Sequence, residues 1–131
     1  MRSNLRQRMG RAHEDYIADL FGGRRMRGSG NQFNNQGDGS TSRFHRVWAW
    51  FWDCKSTLGD SISVSKKTWY KIVEQSTGET PMLPLRFYQD ERVETCQTLD
   101  LVAIQAVELA AMTARLEELE AGLEERCTPT E

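Results

Sequence analysis

RFHRVWAWFWDCKST, residues 43–57, is the stretch of sequence that decides the fold. Its residue types alternate with the period of a β-strand, in which successive side chains point to opposite faces of the sheet. One face carries Trp48, Trp50, Trp52 and Cys54, and the other carries Val47, Ala49, Phe51, Asp53 and Lys55. Because apolar residues occupy both faces, the pattern predicts a central strand covered on both sides, with the tryptophans in the core.

Two helical segments flank this strand. Residues 10–22 predict a short helix that ends at Gly22-Gly23, since glycine is the usual residue just past a helix C-terminus. KKTWYKIVEQ, residues 66–75, predicts a second helix that ends near Gly78. Helices before and after this strand in the sequence indicate a small domain in which helices pack against a β-sheet.

Short strands complete the predicted sheet. Residues 59–66 predict a turn and a strand, and residues 82–88 predict another strand. We expect the latter at an edge, because Pro84 lacks the N–H that a central strand donates. Residues 28–42 are almost wholly Gly, Asn, Gln and Ser, which predicts a loop or a pair of short strands. The predicted fold class is α/β, a small mixed sheet flanked by helices.

From about Glu94 to Arg126 the pattern becomes that of one long C-terminal helix. Its seam has alternating spacings of three and four: Val102, Gln105, Leu109, Met112, Leu116, Leu119 and Leu123. Such spacing is typical of a coiled coil, so the last five of these residues are predicted to form a homodimer contact. The alternative is a terminal helix that lies on its own core. The chain is accordingly divided into a domain over residues 1–93 and a dimerisation helix over residues 94–131.

The charges are distributed unevenly along the chain of 131 residues. Residues 1–72 carry 13 Lys or Arg against 6 Asp or Glu, whereas residues 73–131 carry 4 against 13. A basic front half predicts a surface that binds a polyanion, and the acidic end predicts a solvated helix. No signal peptide or membrane span is recognisable, and three cysteines at unrelated spacings disfavour disulfides and zinc. These features predict a cytoplasmic protein without a membrane partner.

Carboxylates and one lysine form the candidate chemical site. Asp53 and Lys55 follow apolar residues on a face that should be buried, where unpaired charge is costly. Asp38 lies upstream between two glycines, and Glu14 lies on the first helix. Three carboxylates without a histidine or cysteine cluster suit Mg²⁺, with Mn²⁺ as a substitute. Residues 23–29 have the glycine spacing of a P-loop but not its lysine, so no nucleotide cofactor is expected.

These elements resemble, in chain order, the PD-(D/E)xK nuclease superfamily, and within it the archaeal-type Holliday junction resolvases. The matching segments are Glu14, then Arg27-Gly28-Ser29-Gly30, then Asp38, then Asp53-Cys54-Lys55-Ser56-Thr57. The resemblance covers roughly residues 8–90. It departs from the family pattern at Gly37, Asp53 and Cys54, where proline, glutamate and valine are usual. It implies a restriction-endonuclease-like fold.

The resemblance also implies a role for each matching residue. Asp38 and Asp53 would hold the metal with the backbone carbonyl of Cys54, and Glu14 would bind it directly or through water. Lys55 would orient the attacking water, and Ser29 would reach toward the scissile phosphate. The residues expected to contact DNA are Arg24, Arg25, Arg27, Gly28, Ser29, Gly30, Lys66 and Lys67.

The resulting hypothesis is a dimeric Mg²⁺-dependent endodeoxyribonuclease that resolves Holliday junctions in DNA recombination and repair. If it is phage-encoded, it would act in the host cytoplasm. One alternative is a nuclease of the same fold that acts on flaps or linear duplex. The other is a non-catalytic dimeric DNA-binding protein that keeps the fold.

Overall fold

The fold is described from a computed structural model, and the described residues are 2–22, 24–25, 39–40 and 48–127. In chain order the elements are α1 (Arg2–Phe21), β1 (Arg24–Arg25), β2 (Gly39–Ser40), β3 (Trp50–Trp52), β4 (Lys55–Thr57), α2 (Lys66–Gln75), β5 (Thr80–Tyr88), β6 (Thr98–Ala103) and α3 (Ala106–Cys127). The predicted fold class, a mixed α/β sheet flanked by helices with a long C-terminal helix, is confirmed.

β5 is the central strand of the sheet. It pairs in parallel with β3 and β4 and antiparallel with β6, while β2 and then β1 extend the sheet beyond β3. The backbone N–H groups of β5 alternate between the two sides. Thr80 donates to the Ala49 carbonyl beside β3, and Gln89, just past β5, donates to the Gln97 carbonyl beside β6. A strand over residues 82–88 is therefore confirmed, but the prediction that it lies at an edge is wrong.

Pro84 explains how β5 can be central and why the strand predicted over residues 43–57 is interrupted. Trp52 pairs with Met82 and Lys55 with Leu85, so one register holds on both sides of Asp53-Cys54. Thr80 donates its N–H toward β3, so every second residue after it along β5 has its N–H on that same side. Residue 84 is one of these positions and would be expected to donate to the strand beside Cys54. Proline has no N–H to give. The strand divides there into β3 and β4, and residues 43–47 lie outside the described residues.

Both faces of the sheet are covered by helices, α1 and the start of α3 on one face and α2 on the other. α1 packs its Ile17 and Ala18 against Trp50, Trp52 and Met82, and Trp48 and Cys54 adjoin this cluster. α2 packs its Ile72 against Phe51 and Leu83 on the other face. The predicted central strand with apolar residues on both faces is thus confirmed, and the tryptophans belong to the core.

Trp52 of β3 lies directly against Gly39 of β2. The two residues are sheet partners, and Trp52 is fully buried. A Cβ atom placed on Gly39 would overlap the indole ring of Trp52. The ring therefore occupies the space that any side chain at position 39 would need, and only glycine fits there.

The two helices predicted in the front half are both present. α1 ends at Phe21, and Gly22 follows with a φ of 69°, but the helix begins at Arg2 rather than near residue 10. α2 spans Lys66–Gln75 as predicted, because the Ser65 hydroxyl accepts a hydrogen bond from the Thr68 amide at 3.1 Å and caps its first turn.

Two predictions about strands and helix bounds are wrong. Residues 61–65 form no strand, because the chain bends at residues 58–60 after β4 and then runs irregularly to α2. A helix does not begin at Glu94 either, since residues 98–103 form β6 and α3 starts only at Ala106. Val102 therefore belongs to the sheet and Gln105 precedes the helix. The division at residue 93 separates β6 from the sheet to which it belongs.

The predicted dimer residues all lie on α3, which has no fully buried residue. Met112 is half-buried and packs against the cluster of Trp50 and Trp52. The leucines remain open to solvent: Leu109, Leu116, Leu119 and Leu123 are 54%, 66%, 37% and 57% exposed. The first turns of α3 thus contact the chain's own core, and the later turns extend the apolar seam into solvent.

The contact of Trp52 with Gly39 predicts opposite effects for two glycine substitutions. Gly39→Ala should lower the free energy of unfolding by about 1–3 kcal/mol, because the new methyl group overlaps the buried indole. Gly10→Ala, in the middle of α1 where a Cβ meets nothing within 4 Å, should raise it by roughly 1 kcal/mol. Urea denaturation of both variants measures this difference, and equal shifts in one direction would contradict the packing described.

Candidate active site

Asp53, Cys54 and Lys55 lie at the interruption between β3 and β4. All three residues are half-buried. Cys54 adjoins the tryptophan cluster under α1, whereas Lys55 pairs with Leu85, which packs with the cluster under α2. The predicted alternation of faces through this segment therefore holds for Trp48, Trp50, Trp52 and Cys54.

Glu14 comes from the opposite layer. It is a half-buried residue of α1, which covers the face of Trp50 and Trp52, while Lys55 shares its face with the residues beneath α2. Within residues 4–22, 39–40 and 48–127, no group of three or more His, Cys, Asp or Glu side chains is arranged to hold a metal ion. Two of the three predicted carboxylates, Glu14 and Asp53, belong to this part of the chain.

The third predicted carboxylate, Asp38, lies outside the described residues, as do Arg27, Gly28, Ser29 and Gly30. The backbone of Arg24 and Arg25 forms β1 and pairs with Ser40 and Gly39. The residue that follows Asp38 in the sequence is Gly39, and its sheet partner Trp52 is the residue before Asp53.

Lys66 and Lys67 are exposed in the first turn of α2. That turn contains no acidic residue, although the N-terminus of a helix carries a partial positive charge that a carboxylate would offset. Two ammonium groups at this position add to the positive potential of the helix end. The surface at this helix end therefore suits an anion better than a cation.

A buried ionic cluster was missed by the sequence analysis. Arg86 is 6% exposed; its guanidinium donates from Nε to Asp100 Oδ1 at 2.6 Å and lies 4.4 Å from the centre of the Tyr16 ring. Thr98 donates its hydroxyl to the other oxygen of Asp100 at 2.7 Å. Arginine inside the apolar run LPLRFY was the available signal, because a charge within a buried strand requires a partner.

The cluster also changes the ionisation of its members. Burial by itself would lower the pKa of Arg86, but hydrogen bonds and charge from Asp100 and Tyr88 outweigh it and raise that pKa above its ordinary value. Burial raises the pKa of the Tyr88 phenol, whose hydroxyl donates to the Met9 carbonyl at 2.7 Å. Arg86 and Tyr88 join β5 to α1 and stabilise the layer that carries Glu14.

The chain matches no protein-family model, no curated protein and no solved structure. Among the described residues, no helix combines the length and the apolar composition needed to cross a bilayer.

The burial of the Arg86–Asp100 pair predicts a large cost for breaking it. Asp100→Asn should lower the free energy of unfolding by about 3 kcal/mol, because it leaves the guanidinium buried without a counter-charge. Asp90→Asn is the matched control, since Asp90 pairs with Arg92 at 2.7 Å where the side chains are 36% and 73% exposed. Denaturation midpoints should fall clearly for the first variant and stay near wild type for the second. Equal loss in both would show that burial of the pair is immaterial.

Proposed function

We propose that this chain is a Mg²⁺-dependent endonuclease that cleaves phosphodiester bonds in branched DNA, with four-way junctions as its substrate. The observation that carries the proposal is the position of Asp53-Cys54-Lys55 at an interruption in a central strand. The strand ladder is interrupted at Asp53-Cys54 opposite Pro84, and a charged residue at the end of a buried strand is suited to bind a ligand.

The register of β2 and β3 supports the pairing of Asp38 with Asp53. Gly39 and Trp52 are antiparallel partners. Asp38 precedes the first of these residues and Asp53 follows the second. Consecutive Cα atoms are only about 3.8 Å apart, so chain connectivity favours a shared site for the two carboxylates. The glycine that follows Asp38 is explained by packing, because the Trp52 ring leaves no space for a side chain at position 39.

The donor set fits a hard cation. Asp38 and Asp53 would hold Mg²⁺, or Mn²⁺ in its place, together with the Cys54 carbonyl. Glu14, which lies on α1 on the other side of the sheet from Lys55, would contribute through water. A bound divalent cation would supply a more acidic water and a counter-charge for the phosphate. Lys55 would orient the attacking water, and its ammonium would offset negative charge that develops on the phosphate.

The basic residues would hold the DNA backbone. Lys66 and Lys67 are exposed at the start of α2, and Arg24 and Arg25 belong to β1. We assign them to phosphate contacts, which fix the position of DNA without reading its sequence. Ser29, with Arg27, Gly28 and Gly30, would approach the scissile phosphate. The site of action would be the cytoplasm, that of a host if the chain is phage-encoded.

A four-way junction has near two-fold symmetry and needs two nicks, so we propose a homodimer with two active sites. The exposed leucines of α3 are one surface that can hold two copies together, as the heptad seam predicts. The outer edge of β6 is another.

The direct test is cleavage of labelled DNA by the purified chain with Mg²⁺. Four-way junction, flap and linear duplex are compared side by side at equal concentration. Paired symmetric nicks in the junction support the proposal. Cutting of flap or duplex alone would assign a different substrate, and tight junction binding without cutting would favour the non-catalytic alternative.

Neutralising a proposed metal ligand should separate cleavage from binding. Asp53→Asn and Asp38→Asn should each reduce junction cleavage at least about 1,000-fold, while junction affinity stays or rises because a charge that repels phosphate is lost. Asp60→Asn is the control, since Asp60 is an exposed residue of the bend after β4. Cleavage near the wild-type rate by either site variant would refute the assignment.

Lys55 should affect the rate more than the affinity. Lys55→Ala is expected to lower the single-turnover rate constant at saturating junction by about 100-fold or more, with a change in Kd of less than about 3-fold. Lys71→Ala, on the exposed surface of α2, is the matched control for loss of one positive charge. If Lys55→Ala weakens binding and leaves the rate constant unchanged, the lysine is a phosphate contact only.

A further inference from the structure

The outer edge of β6 has the properties of a strand that pairs with another strand. Among the described residues, β6 pairs with β5 alone. Hydrogen bonds to β5 alternate along β6, beginning with the Gln97 carbonyl, which accepts from Gln89. By this alternation Leu99, Leu101 and Ala103 face β5 with their N–H and C=O groups. Thr98, Asp100 and Val102 direct theirs toward the open edge.

The side chains of β6 do little to protect this edge. Natural edge strands are blocked by lysine, by proline or by a charge that faces the approaching strand. TLDLVA contains neither lysine nor proline, and its single charge, Asp100, is bound within its own sheet by Arg86 at 2.6 Å and by Thr98 at 2.7 Å. The Asp100 carboxylate is therefore paired within its own chain, and its repulsion becomes important only where it meets a second Asp100.

Apolar side chains beside the edge are exposed on both faces. Leu99 and Leu101 are 55% and 48% exposed on the face of α2, and Val102 is 40% exposed on the face of α1. Leu58 and the half-buried Phe87 adjoin the two leucines along an open groove. A strand added at this edge would bury apolar surface as well as saturate backbone groups.

We propose that β6 pairs antiparallel with β6 of a second copy about a two-fold axis at Leu101, which joins the two sheets into one. In this register Asp100 faces the partner's Val102, and the two residues exchange both backbone hydrogen bonds. Leu101 meets the partner's Leu101, and Leu99 meets the partner's Ala103, in the closer side-chain pairs of the ladder. The register with the axis at Asp100 is disfavoured because it sets two carboxylates directly opposite each other.

A second copy fits this edge better than the two longer undescribed segments within the same chain. The residues that flank segments 26–38 and 41–47 are Arg25, Gly39, Ser40 and Trp48, and they all lie beyond β5, on the side of the sheet away from β6. The outward N–H and C=O groups of one β6 can also bond to the same groups of a second β6 that is related to it by a two-fold axis. The inference depends on β5 and β6 only, so it stands or falls separately from the proposed nuclease activity.

The first test measures association by light scattering and sedimentation over a range of protein concentrations. The wild-type chain should reach a mass near twice 15.1 kDa. Leu101→Lys should raise the dimer Kd at least about 100-fold, because it sets two ammonium groups together at the axis. Leu20→Lys, at a 59% exposed leucine of α1, should leave the Kd unchanged. Circular dichroism and thermal unfolding of each monomer show whether the fold is intact.

The second test fixes the register by cross-linking, in a Cys127→Ser background because Cys127 is exposed. Leu101→Cys should form an intermolecular disulfide on mild oxidation, since residues opposite each other in a non-hydrogen-bonded pair have Cα atoms about 4.5 Å apart. Leu99→Cys should not, because the two copies of residue 99 then lie far apart along the strands.

Several outcomes would overturn the proposal. They are a wild-type chain that stays monomeric, a dimer that survives Leu101→Lys, and cross-linking by Leu99→Cys in place of Leu101→Cys. A dimer lost only in the double variant Leu116→Lys with Leu119→Lys would assign the contact to the α3 seam instead. Capture of an unrelated β-strand peptide by a monomeric chain would likewise replace the second copy as the occupant.

Discussion

The missing N–H of Pro84 is the constraint on which the rest of the structure depends. β5 lies at the centre of the sheet, where each residue is expected to donate to one neighbour or the other. Proline is tolerated because the partner strand breaks opposite it, between β3 and β4. The break separates a buried apolar segment from a polar one and leaves Asp53 and Cys54 between them. The same feature that interrupts the ladder thus positions the residues that carry the proposed chemistry.

Packing around the break holds it in place from both faces. Trp52 fills the space above Gly39 and lies against Ile17 of α1, so β2, β3 and α1 meet at one side chain. On β5, Arg86 and Tyr88 connect the opposite end of the sheet to α1 through the Tyr16 ring and the Met9 carbonyl. A cavity at Trp52 or an unpaired charge at Arg86 would loosen α1 and, with it, Glu14.

The sequence patterns that predicted the fold correctly were those with one strong period. Alternation within residues 43–57 identified both faces of the strand as far as Cys54, and the segment KKTWYKIVEQ identified α2 from Lys66 to Gln75. Pro84 was misplaced at an edge because the rule that excludes proline from central strands assumes an unbroken partner. β6 was taken for helix because Val102, Gln105 and Leu109 continue the three-and-four spacing backward from α3. A six-residue strand next to a long helix offers too few residues for its own period to be distinguished.

Of the candidate site, the sequence predicted the residues of one segment and their alternation but not the spatial relation of Glu14 to Lys55. They come from layers on opposite sides of the sheet, and only the paired arrangement of strands and helices reveals this. Arg86 and Asp100 were missed because their partnership joins two strands whose register follows from the assembled sheet. Local composition cannot give such contacts.

The central claim is that the break at Asp53-Cys54 binds a divalent cation. Paramagnetic broadening of backbone amide signals by Mn²⁺ tests this most directly, without DNA and without turnover. At Mn²⁺ well below one equivalent, the amides of Asp53, Cys54 and Lys55 should broaden first, and excess Mg²⁺ should restore them. The acidic turns of α3, with Glu117, Glu118 and Glu120, provide an internal comparison. Broadening confined to α3, with the signals at the break unchanged, would contradict the account.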